Sequence, residues 1–413
     1  MSYDMSVMNT TQLALFGGPP AVTSRLLSAG RRPPVLEWVK RDLIDLLDTG
    51  QIADPEPTRD LEKAFASYTG AKHCLSMVNG TAAIRAGLWV LGVGQNPDDE
   101  VICPSLTSWS AVMPIVSVGA KVVFADVEAA TLSLDPRDVL RRITSKTKAV
   151  IVAHMLGMSA DLDELVEICK IGNVPLIEDA CLAEGVRYRG RHVGTFGAFG
   201  CFSLQSGKAL SAGEGGLLVT NDSNLYQRAV LCGHPKRVDE LSPEHLVYRH
   251  TPLGGVKNRL NSVTAIIALG ALEQLDDYLK MAATATSRFI NRIKHLKGVG
   301  ALKAGLEVCA AHHYPVILYD ADVAGVSCDQ LIRALTAEGV PVERRLEAQH
   351  RHVFFVERDY DPDDLPVTCD CADRVLRLPR LHYATEEMVD QCVEAFRKVW
   401  GQLDVLNDSQ HLR

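Results

Sequence analysis

Short apolar runs alternate with segments of helical periodicity through the first half of this 413-residue chain. Residues 149–152 and 174–180 are two such runs, and the residues between them repeat their apolar positions at helical spacing. A strand, a helix and a second strand in this order form a unit whose two strands lie parallel in one sheet. Because the pattern recurs, we predict an α/β fold with a mostly parallel sheet covered by helices on both faces.

The second half of the chain has a different pattern, which predicts a second and smaller domain. A long helical pattern over residues 260–278 leads into an apolar run at 314–318 and then into further helical patterns. Helices and strands without regular alternation indicate an α+β unit. We therefore predict a large α/β domain over residues 12–265, a small C-terminal α+β domain over residues 266–408, and a loose tail over residues 1–11.

The charge balance argues against nucleic acid or a membrane as a partner. The chain has 51 acidic and 43 basic residues, a formal net charge of −8 and no long basic block. No run approaches the roughly 18 apolar residues of a membrane span, and residues 1–11 lack the apolar core of a signal peptide. These features predict a cytoplasmic protein.

The cysteines do not form a recognisable metal or redox motif. Eleven of them are scattered along the chain, and the nearest pair, Cys369 and Cys371, has one residue between its members. That spacing is typical of neither zinc sites nor thioredoxin-like motifs. We expect reduced, mostly buried thiols and no metal site.

One lysine, Lys208, lies in a segment that favours close approach of a ligand to the backbone. Glycines flank it on both sides, at positions 207, 213, 215 and 216. An amine held against a carbonyl can condense to a Schiff base, and glycine lets a bulky group approach without a Cβ clash. Lys208 is therefore a candidate nucleophile. The alternative is a solvated lysine in a surface turn.

Asp179 supplies a second group that fits the same chemistry. It falls where the predicted strand 174–180 ends, and open α/β folds bind their ligands at the carboxyl ends of parallel strands. An enzyme that uses pyridoxal 5'-phosphate (PLP) needs a lysine for the aldehyde and an acid for the ring nitrogen, which together make the cofactor an electron sink. Lys208 and Asp179 therefore predict a PLP site.

A predicted strand-to-helix corner offers a place for a phosphate. Gly80, Thr81 and Ala82 follow a buried run and begin a helical pattern. Backbone N–H groups at a helix start, with the Thr81 hydroxyl, form an anion site that can hold the PLP phosphate. The alternative is an ordinary helix cap by Thr81.

Several segments in the same order resemble the DegT/StrS type of PLP-dependent aminotransferase across nearly the whole chain. The segments are residues 79–81, 99–104, 178–180, 189–194, 202–203, 208–216 and 376–379. The resemblance implies a fold type I protein that aminates a keto-sugar or a keto-cyclitol with L-glutamine or L-glutamate as the donor. The residues around Lys208 resemble the aminocyclitol branch more than the nucleotide-sugar branch.

The resemblance also implies a role for individual residues. Lys208 would carry the cofactor and move the proton, and Asp179 would keep the ring nitrogen protonated. Ser203 and Thr81 would hold the phosphate. Trp109 would stack on the pyridine ring.

Some positions depart from the family pattern. Ser108 stands at the usual position of the stacking aromatic residue, beside Trp109. Ala82 replaces a frequent serine, and Leu182 replaces a glutamine or histidine that faces the cofactor ring. Glu184 replaces a frequent histidine. A catalytically altered PLP-binding member with a regulatory or scaffold role is therefore an alternative. Family members that act as lyases carry a histidine at the lysine position, and Lys208 argues against that activity.

Two further residues bear on assembly. Family members often carry an asparagine at the position of Lys257, and that asparagine reaches the cofactor phosphate of the neighbouring subunit; here Asn258 stands one residue later. An ammonium group can also meet a phosphate dianion. Lys257 therefore predicts a homodimer with shared active sites, and the alternative is an exposed loop lysine.

The loop 233–250 contains His234, His245 and His250 among many charged residues. Such a loop either borders a polar substrate or forms a solvated surface connection.

Overall fold

The computed structural model describes residues 12–23, 33–52, 55–234, 237, 241–246, 256–302, 305, 307–311, 315–344 and 346–408. The strands are β1 His73–Met77, β2 Glu100–Pro104, β3 Lys121–Ala125, β4 Val127–Glu128, β5 Ser133–Leu134, β6 Thr147–Ala153, β7 Leu176–Asp179, β8 Arg187–Tyr188, β9 Arg191–His192, β10 Phe199–Ser203, β11 Gly216–Thr220, β12 Val299–Gly300, β13 Val308–Cys309, β14 Val316–Tyr319, β15 Glu343–Arg344 and β16 Val375–Arg377. The α-helices are α1 Glu37–Thr49, α2 Glu56–Thr69, α3 Gly80–Val90, α4 Trp109–Ser117, α5 Pro136–Arg142, α6 Leu162–Ile171, α7 Ser223–Leu231, α8 Pro243–Leu246, α9 Ser262–Glu273, α10 Leu275–Ile293, α11 Ala321–Ala324, α12 Cys328–Ala337, α13 Val353–Val356, α14 Pro366–Arg374, α15 Glu386–Trp400 and α16 Leu403–Asp408.

A seven-stranded sheet in the order β1-β11-β10-β7-β6-β2-β3 forms the centre of the large unit. Strands β10, β7, β6, β2 and β3 pair in parallel, and β11 pairs antiparallel with both β1 and β10. Six of the seven strands therefore run in one direction, which confirms the predicted α/β fold. Their carboxyl ends meet at one edge of the sheet.

Side chains alternate between the two faces of this sheet, because successive residues of a strand point in opposite directions. Ile102 and Val150 pack against α2, α5, α6 and α9. Val101 and Ile151 pack on the other face against α3, α4 and α7. Each of these side chains is almost completely buried, and burial of one such side chain stabilises the fold by about 1.5–3 kcal/mol.

A four-stranded antiparallel sheet, in the order β12-β14-β16-β15, forms the C-terminal unit. Its core includes side chains of α10, α12 and α15. Leu13 and Val22, which the sequence prediction placed in the large domain, pack in this core instead. The buried carboxylate of Glu338 explains the attachment, since it accepts the amides of Ala14 at 2.7 Å and Ala21 at 2.9 Å and pairs with Lys398 at 2.9 Å.

The predicted single helix over residues 260–278 is wrong, because the chain forms two helices there. Helix α9 ends at Glu273, and α10 begins at Leu275. Helix α10 then joins both cores, with Tyr278 in that of the large unit and Phe289 in that of the C-terminal unit. The two units therefore meet within α10 rather than at residue 265.

No described helix is both long enough and apolar enough to cross a membrane. All eleven cysteines are free thiols, and nine of them are buried.

Candidate active site

The predicted site residues lie at the edge of the sheet where the parallel strands end. Asp179 is the last residue of β7, and Ser203 is the last residue of β10. Helix α3 begins three residues after β1, at Gly80, and α4 begins shortly after β2, at Trp109. The strand order brings these corners to one edge, as open α/β folds do at their ligand sites.

Lys208 lies in the loop between the antiparallel strands β10 and β11. Backbone hydrogen bonds from Leu204 to the Gly215 carbonyl, at 2.8 Å, and from Ser206 to that of Gly213, at 2.9 Å, extend the pairing into the loop. The Lys208 amide donates to the Gln205 carbonyl at 2.9 Å. Gly213 has a φ of 94°, a conformation that glycine adopts at little cost. The loop therefore holds the lysine backbone in a defined turn.

Asp179 and Lys208 come together around Cys181. The Asp179 carboxylate is 9% exposed and accepts the Cys181 amide at 3.1 Å. Burial is the main cause that raises the pKa of the Cys181 thiol well above its usual range, and the Asp179 charge raises it further. The Lys208 charge opposes this rise. Both predicted catalytic groups are therefore within electrostatic reach of one thiol.

The Glu178 carboxylate holds two motif segments together, residues 178–180 and residues 189–194. Its carboxylate is fully buried and accepts the amides of Gly194 and Phe196 at 2.6 Å and that of Gly197 at 2.7 Å. His154 lies 3.1 Å from the same carboxylate. These bonds stabilise the turn after β9 next to the end of β7. The two neighbouring carboxylates at 178–179 therefore have different contacts: Glu178 accepts three amides of the turn after β9, and Asp179 accepts the Cys181 amide.

The helix corner at Gly80 fits a phosphate, with two corrections to the prediction. Asn79, not Thr81, caps α3. The Asn79 side chain also accepts the Ala82 amide at 2.8 Å, so this N–H is not available to a phosphate. The amides of Gly80 and Thr81 remain in the first turn, where a helix offers them no backbone acceptor.

Gly80 lies tightly against two other parts of the site. A Cβ atom at this position would be 2.6 Å from the Cys181 sulfur and 3.1 Å from the Ser203 Cβ. The Ser203 hydroxyl is therefore beside the helix start, where it accepts the Gln205 amide at 3.3 Å. Two amides and a hydroxyl at a helix N-terminus suit a phosphate, so the residues present fit PLP.

A cavity of about 410 Å³ opens beside Lys208. Trp109 and Leu182 line it, as predicted for neighbours of the cofactor ring, and so does Gln205. Residues of the C-terminal unit, including Arg380, also line it. The site is therefore built between the two units.

Trp109 is the first residue of α4, which Ser108 caps. Its ring centroid is 5.1 Å from that of His352 and 5.7 Å from that of Phe355. These contacts fix the indole at the cavity wall. Stacking of Trp109 on the cofactor stays a prediction.

Lys257 and Asn258 do not line the cavity of their own chain. Lys257 is exposed. Asn258 is 5% exposed, and its side chain amide donates to the Cys232 carbonyl at 3.4 Å. Asn258 therefore supports the fold locally, and contact of either residue with a phosphate stays a prediction.

Other polar residues that the sequence singled out are structural. Glu184 is 2% exposed and does not line the cavity. His234 is buried and lies 2.9 Å from the Ser76 carbonyl, and His245 lies 2.9 Å from Asn224. His250 lies outside the described residues.

The sequence analysis assigned no role to Cys181 or Glu178, although both contribute to the structure of the site. Two sequence motifs could have indicated the role of Glu178. An acidic residue at a strand end and a separate glycine turn suggest a carboxylate that accepts hydrogen bonds from backbone amides. Nothing in the sequence around Cys181 separates it from the ten other cysteines.

The fold and the site define a PLP-dependent aminotransferase of fold type I. The chain belongs to the DegT/DnrJ/EryC1/StrS aminotransferase family, whose family model matches residues 37–397. The resemblance seen in the sequence, the fold class, the cofactor and the enzyme class are thereby confirmed.

Relatives include sugar aminotransferases. The chain is 30% identical over 371 residues to the GDP-perosamine synthase of Caulobacter vibrioides, covering 89% of this chain and 96% of the relative. It is 28% identical to a solved 3-amino-5-hydroxybenzoic acid synthase, with a TM-score of 0.80 over 90% of this chain and 98% of that one. The structure of DesI with its TDP-sugar product is 25% identical, with a TM-score of 0.81 over 97% of this chain and 98% of that one.

Proposed function

We propose that this protein moves the amino group of L-glutamine or L-glutamate to a keto-cyclitol or a keto-sugar. The observation that carries the proposal is the position of Lys208 at a cavity beside the carboxyl ends of the parallel strands, where Asp179 ends β7 and accepts the Cys181 amide. The lysine and the acid are the two groups that amino transfer with PLP requires.

The chain's own residues have distinct tasks in this reaction. PLP, when bound, supplies an electron sink for the charge that develops at the donor's α-carbon. The Lys208 amine would take the proton from the donor's α-carbon as a general base and, in the second half of the reaction, deliver a proton to the former carbonyl carbon of the acceptor as a general acid. The Asp179 carboxylate holds a proton at the ring nitrogen, because an opposite charge nearby favours the charged form. The amides of Gly80 and Thr81 and the Ser203 hydroxyl hold the phosphate.

The acceptor class rests on the relatives and on the sequence around Lys208. A GDP-perosamine synthase, DesI with a TDP-sugar product, and a synthase of an aminated hydroxybenzoic acid are all similar to this chain. Residues 202–208 resemble the aminocyclitol branch. We infer that the acceptor is a hydroxylated ring with one ketone, and we favour the keto-cyclitol.

The proposal includes a homodimer with shared active sites. Lys257 is exposed and lies outside the cavity of its own chain. The neighbouring Asn258 is buried and hydrogen-bonded, which holds the backbone at Lys257 in place. The exposed Lys257 side chain can then contact a neighbouring chain. The proposed contact is with the cofactor phosphate of the partner subunit.

A second candidate function follows from Leu182. It lines the cavity and packs in an apolar cluster with Met155 and Leu156, where the family usually has a polar residue facing the ring. A member that binds PLP without amino transfer, as a regulatory or scaffold protein, would tolerate this change. Turnover with any donor rejects this second candidate.

A screen of donors and acceptors tests the proposed function. L-glutamine and L-glutamate are each combined with scyllo-inosose and with nucleotide-linked 4-keto-sugars, and mass spectrometry detects the aminated product. Lys208→Ala should give no product. Lys280→Ala, which changes an exposed lysine of α10, is the matched control and should give wild-type yields. Absence of product from every pair, with PLP bound, would favour the second candidate.

A further inference from the structure

A set of hydrogen bonds joins two segments that line the cavity of the candidate active site. Residues 107–109 line it just after β2, and three residues of the segment 346–349 line it from the C-terminal part of the chain. The Gln349 amide donates to the Ser105 carbonyl at 3.0 Å, and the Gln349 side chain donates to the Thr107 carbonyl at 3.0 Å. These bonds, here called the junction, fix the distance between the two segments.

His350 belongs to the same junction and is buried within it. His350 is 2% exposed, and Ser105, on the other side of the contact, has no exposed surface. The Ser105 hydroxyl accepts the His350 amide at 3.0 Å and lies 2.6 Å from the ring nitrogen Nδ1. The histidine ring therefore contacts the end of β2 directly, next to the two bonds of Gln349.

The surroundings of the ring define where its proton is. The carbonyls of Pro362 and Asp364 form hydrogen bonds with the ring. They lie on the side of Nε2, because the Cys369 sulfur is 3.6 Å from Nε2 and 3.4 Å from the Asp364 carbonyl. A carbonyl can only accept, so Nε2 carries the proton of the neutral ring. Nδ1 is then an acceptor, and the Ser105 hydroxyl donates to it.

Protonation of His350 would remove the acceptor of this bond. Both ring nitrogens of a charged histidine are donors, so the proton of the Ser105 hydroxyl would lose its acceptor at Nδ1. A buried charge and a buried hydroxyl without an acceptor both cost free energy. The neutral ring therefore stabilises the junction, and the charged ring weakens it.

The groups around the ring favour its neutral form. Burial is the main cause that lowers the pKa of His350, and the Arg351 charge lowers it further, while bonds to carbonyls and the Asp364 charge oppose this shift. The titratable groups that face the ring from other segments are Asp364 and the Cys369 thiol of α14, and β3 contributes the uncharged Phe124. Because the folded pKa is lowered, the stabilisation is present above the usual pKa of about 6.5 and is lost as the pH falls from there towards the folded pKa.

We propose that neutral His350 is a positioning residue that holds the segment 346–349 against the end of β2, and that its protonation opens this cavity wall and weakens binding of the acceptor. The identity of the acceptor rests on the proposed function, and the junction does not. His350 does not line the cavity and acts through Gln349, which does.

Hydrogen exchange tests the junction without turnover. In the PLP-loaded wild type, the amides of residues 105–109 and 346–350 should lose protection by about threefold or more between about pH 7.5 and about pH 5.5, after correction for the intrinsic exchange rate. His350→Gln should keep its protection at both pH values, because its side chain stays neutral and still offers an oxygen to Ser105. Ser105→Ala should have low protection at both pH values, since the hydroxyl is absent.

A control variant and a kinetic measurement complete the test. His295→Gln removes an exposed histidine just after α10 and should respond to pH as wild type does. With a donor and acceptor that turn over, the KM for the acceptor should rise by about threefold or more on acidification in wild type and stay constant in His350→Gln. The effect of pH on kcat should be the same in both.

The outcomes separate the junction from the proposed function. An equal loss of protection in wild type and His350→Gln, or wild-type protection in Ser105→Ala, would overturn the junction. Equal KM profiles beside different exchange profiles would show that the junction does not position the wall and would also overturn the proposal. Loss of PLP at the lower pH from wild type but not from His350→Gln would assign the effect to the cofactor, with the same consequence. Absence of amino transfer with every pair rejects the proposed function, and the exchange result still decides on the junction.

Discussion

The backbone of Lys208 is held in a defined turn, and its side chain lines a cavity. Substitution of this lysine should therefore remove the catalytic amine without disturbing the fold. We expect Lys208→Ala to lose all detectable amino transfer and to keep the melting temperature of wild type, since the side chain is half-buried and contributes little packing. Borohydride reduction of the loaded wild type should attach the cofactor to a peptide that contains Lys208. Label on another lysine would reject the assignment.

Asp179 should affect the rate rather than cofactor binding. In Asp179→Asn the amide cannot hold the proton on the ring nitrogen, so the half-reaction with the amino donor should slow by roughly a hundredfold or more. Stopped-flow absorbance measures this step, and PLP should stay bound. Asp163→Asn, at a half-exposed carboxylate of α6, is the matched control. Unchanged kinetics in Asp179→Asn would show that the carboxylate only ends a strand.

At the residue scale, the sequence singles out residues that have an unusual local context, and their catalytic roles stay predictions. Lys208 was recognised by its flanking glycines and Asp179 by its position at a strand end. The Ala82 amide was assigned wrongly, because its bond to Asn79 depends on which residue caps the helix. The proximity of Cys181 to Gly80 was missed, since it joins segments about a hundred residues apart and leaves no periodic pattern.

At the scale of elements, the strands of the main sheet could be predicted well. The predicted runs 149–152 and 174–180 overlap β6 and β7, because a buried parallel strand is a continuous apolar segment. The break between α9 and α10 could not be predicted. Apolar residues continue across Gln274, where α9 ends, and the following helix packs against two different cores, which a local pattern does not reveal.

The strand-to-helix corner at Gly80 leads to a prediction about the phosphate site. Gly80→Ala would place its methyl group 2.6 Å from the Cys181 sulfur, so the start of α3 must shift. We expect weaker PLP binding and a loss of stability of about 1–3 kcal/mol, measured by cofactor titration and urea unfolding. Gly305→Ala, whose nearest neighbour would be 4.0 Å away, is the control.

A second change tests the cause of this effect. Removing the sulfur in the double variant Gly80→Ala/Cys181→Ala should restore much of the PLP affinity, because the contact at 2.6 Å is then absent. If the double variant is no better than Gly80→Ala, the effect arises elsewhere, for example from the Ser203 side at 3.1 Å.

At the scale of the whole molecule, the structure joins two units around one cavity. The loop between β10 and β11 supplies Lys208, the end of β7 supplies Asp179, and the C-terminal unit supplies arginines that line the cavity. A bridge between Leu106 and Ala348 connects the units beside the cavity, and Gln349 donates to the Thr107 carbonyl at 3.0 Å. The sequence predicted two domains but not this contact, because it depends on how they pack.

The shared-site homodimer leads to a prediction that only a mixed dimer can test. Lys208→Ala and Lys257→Ala should each be inactive or weak, the first through lost chemistry and the second through weaker phosphate binding. The two variants are co-expressed with different affinity tags, and the heterodimer is isolated. If Lys257 serves the partner subunit's site, one site of the heterodimer carries both substitutions and the other carries neither. Activity should then return to about half that of wild type. If both lysines serve the same chain, every site of the heterodimer is defective, and activity no higher than that of the parent variants would reject the shared site.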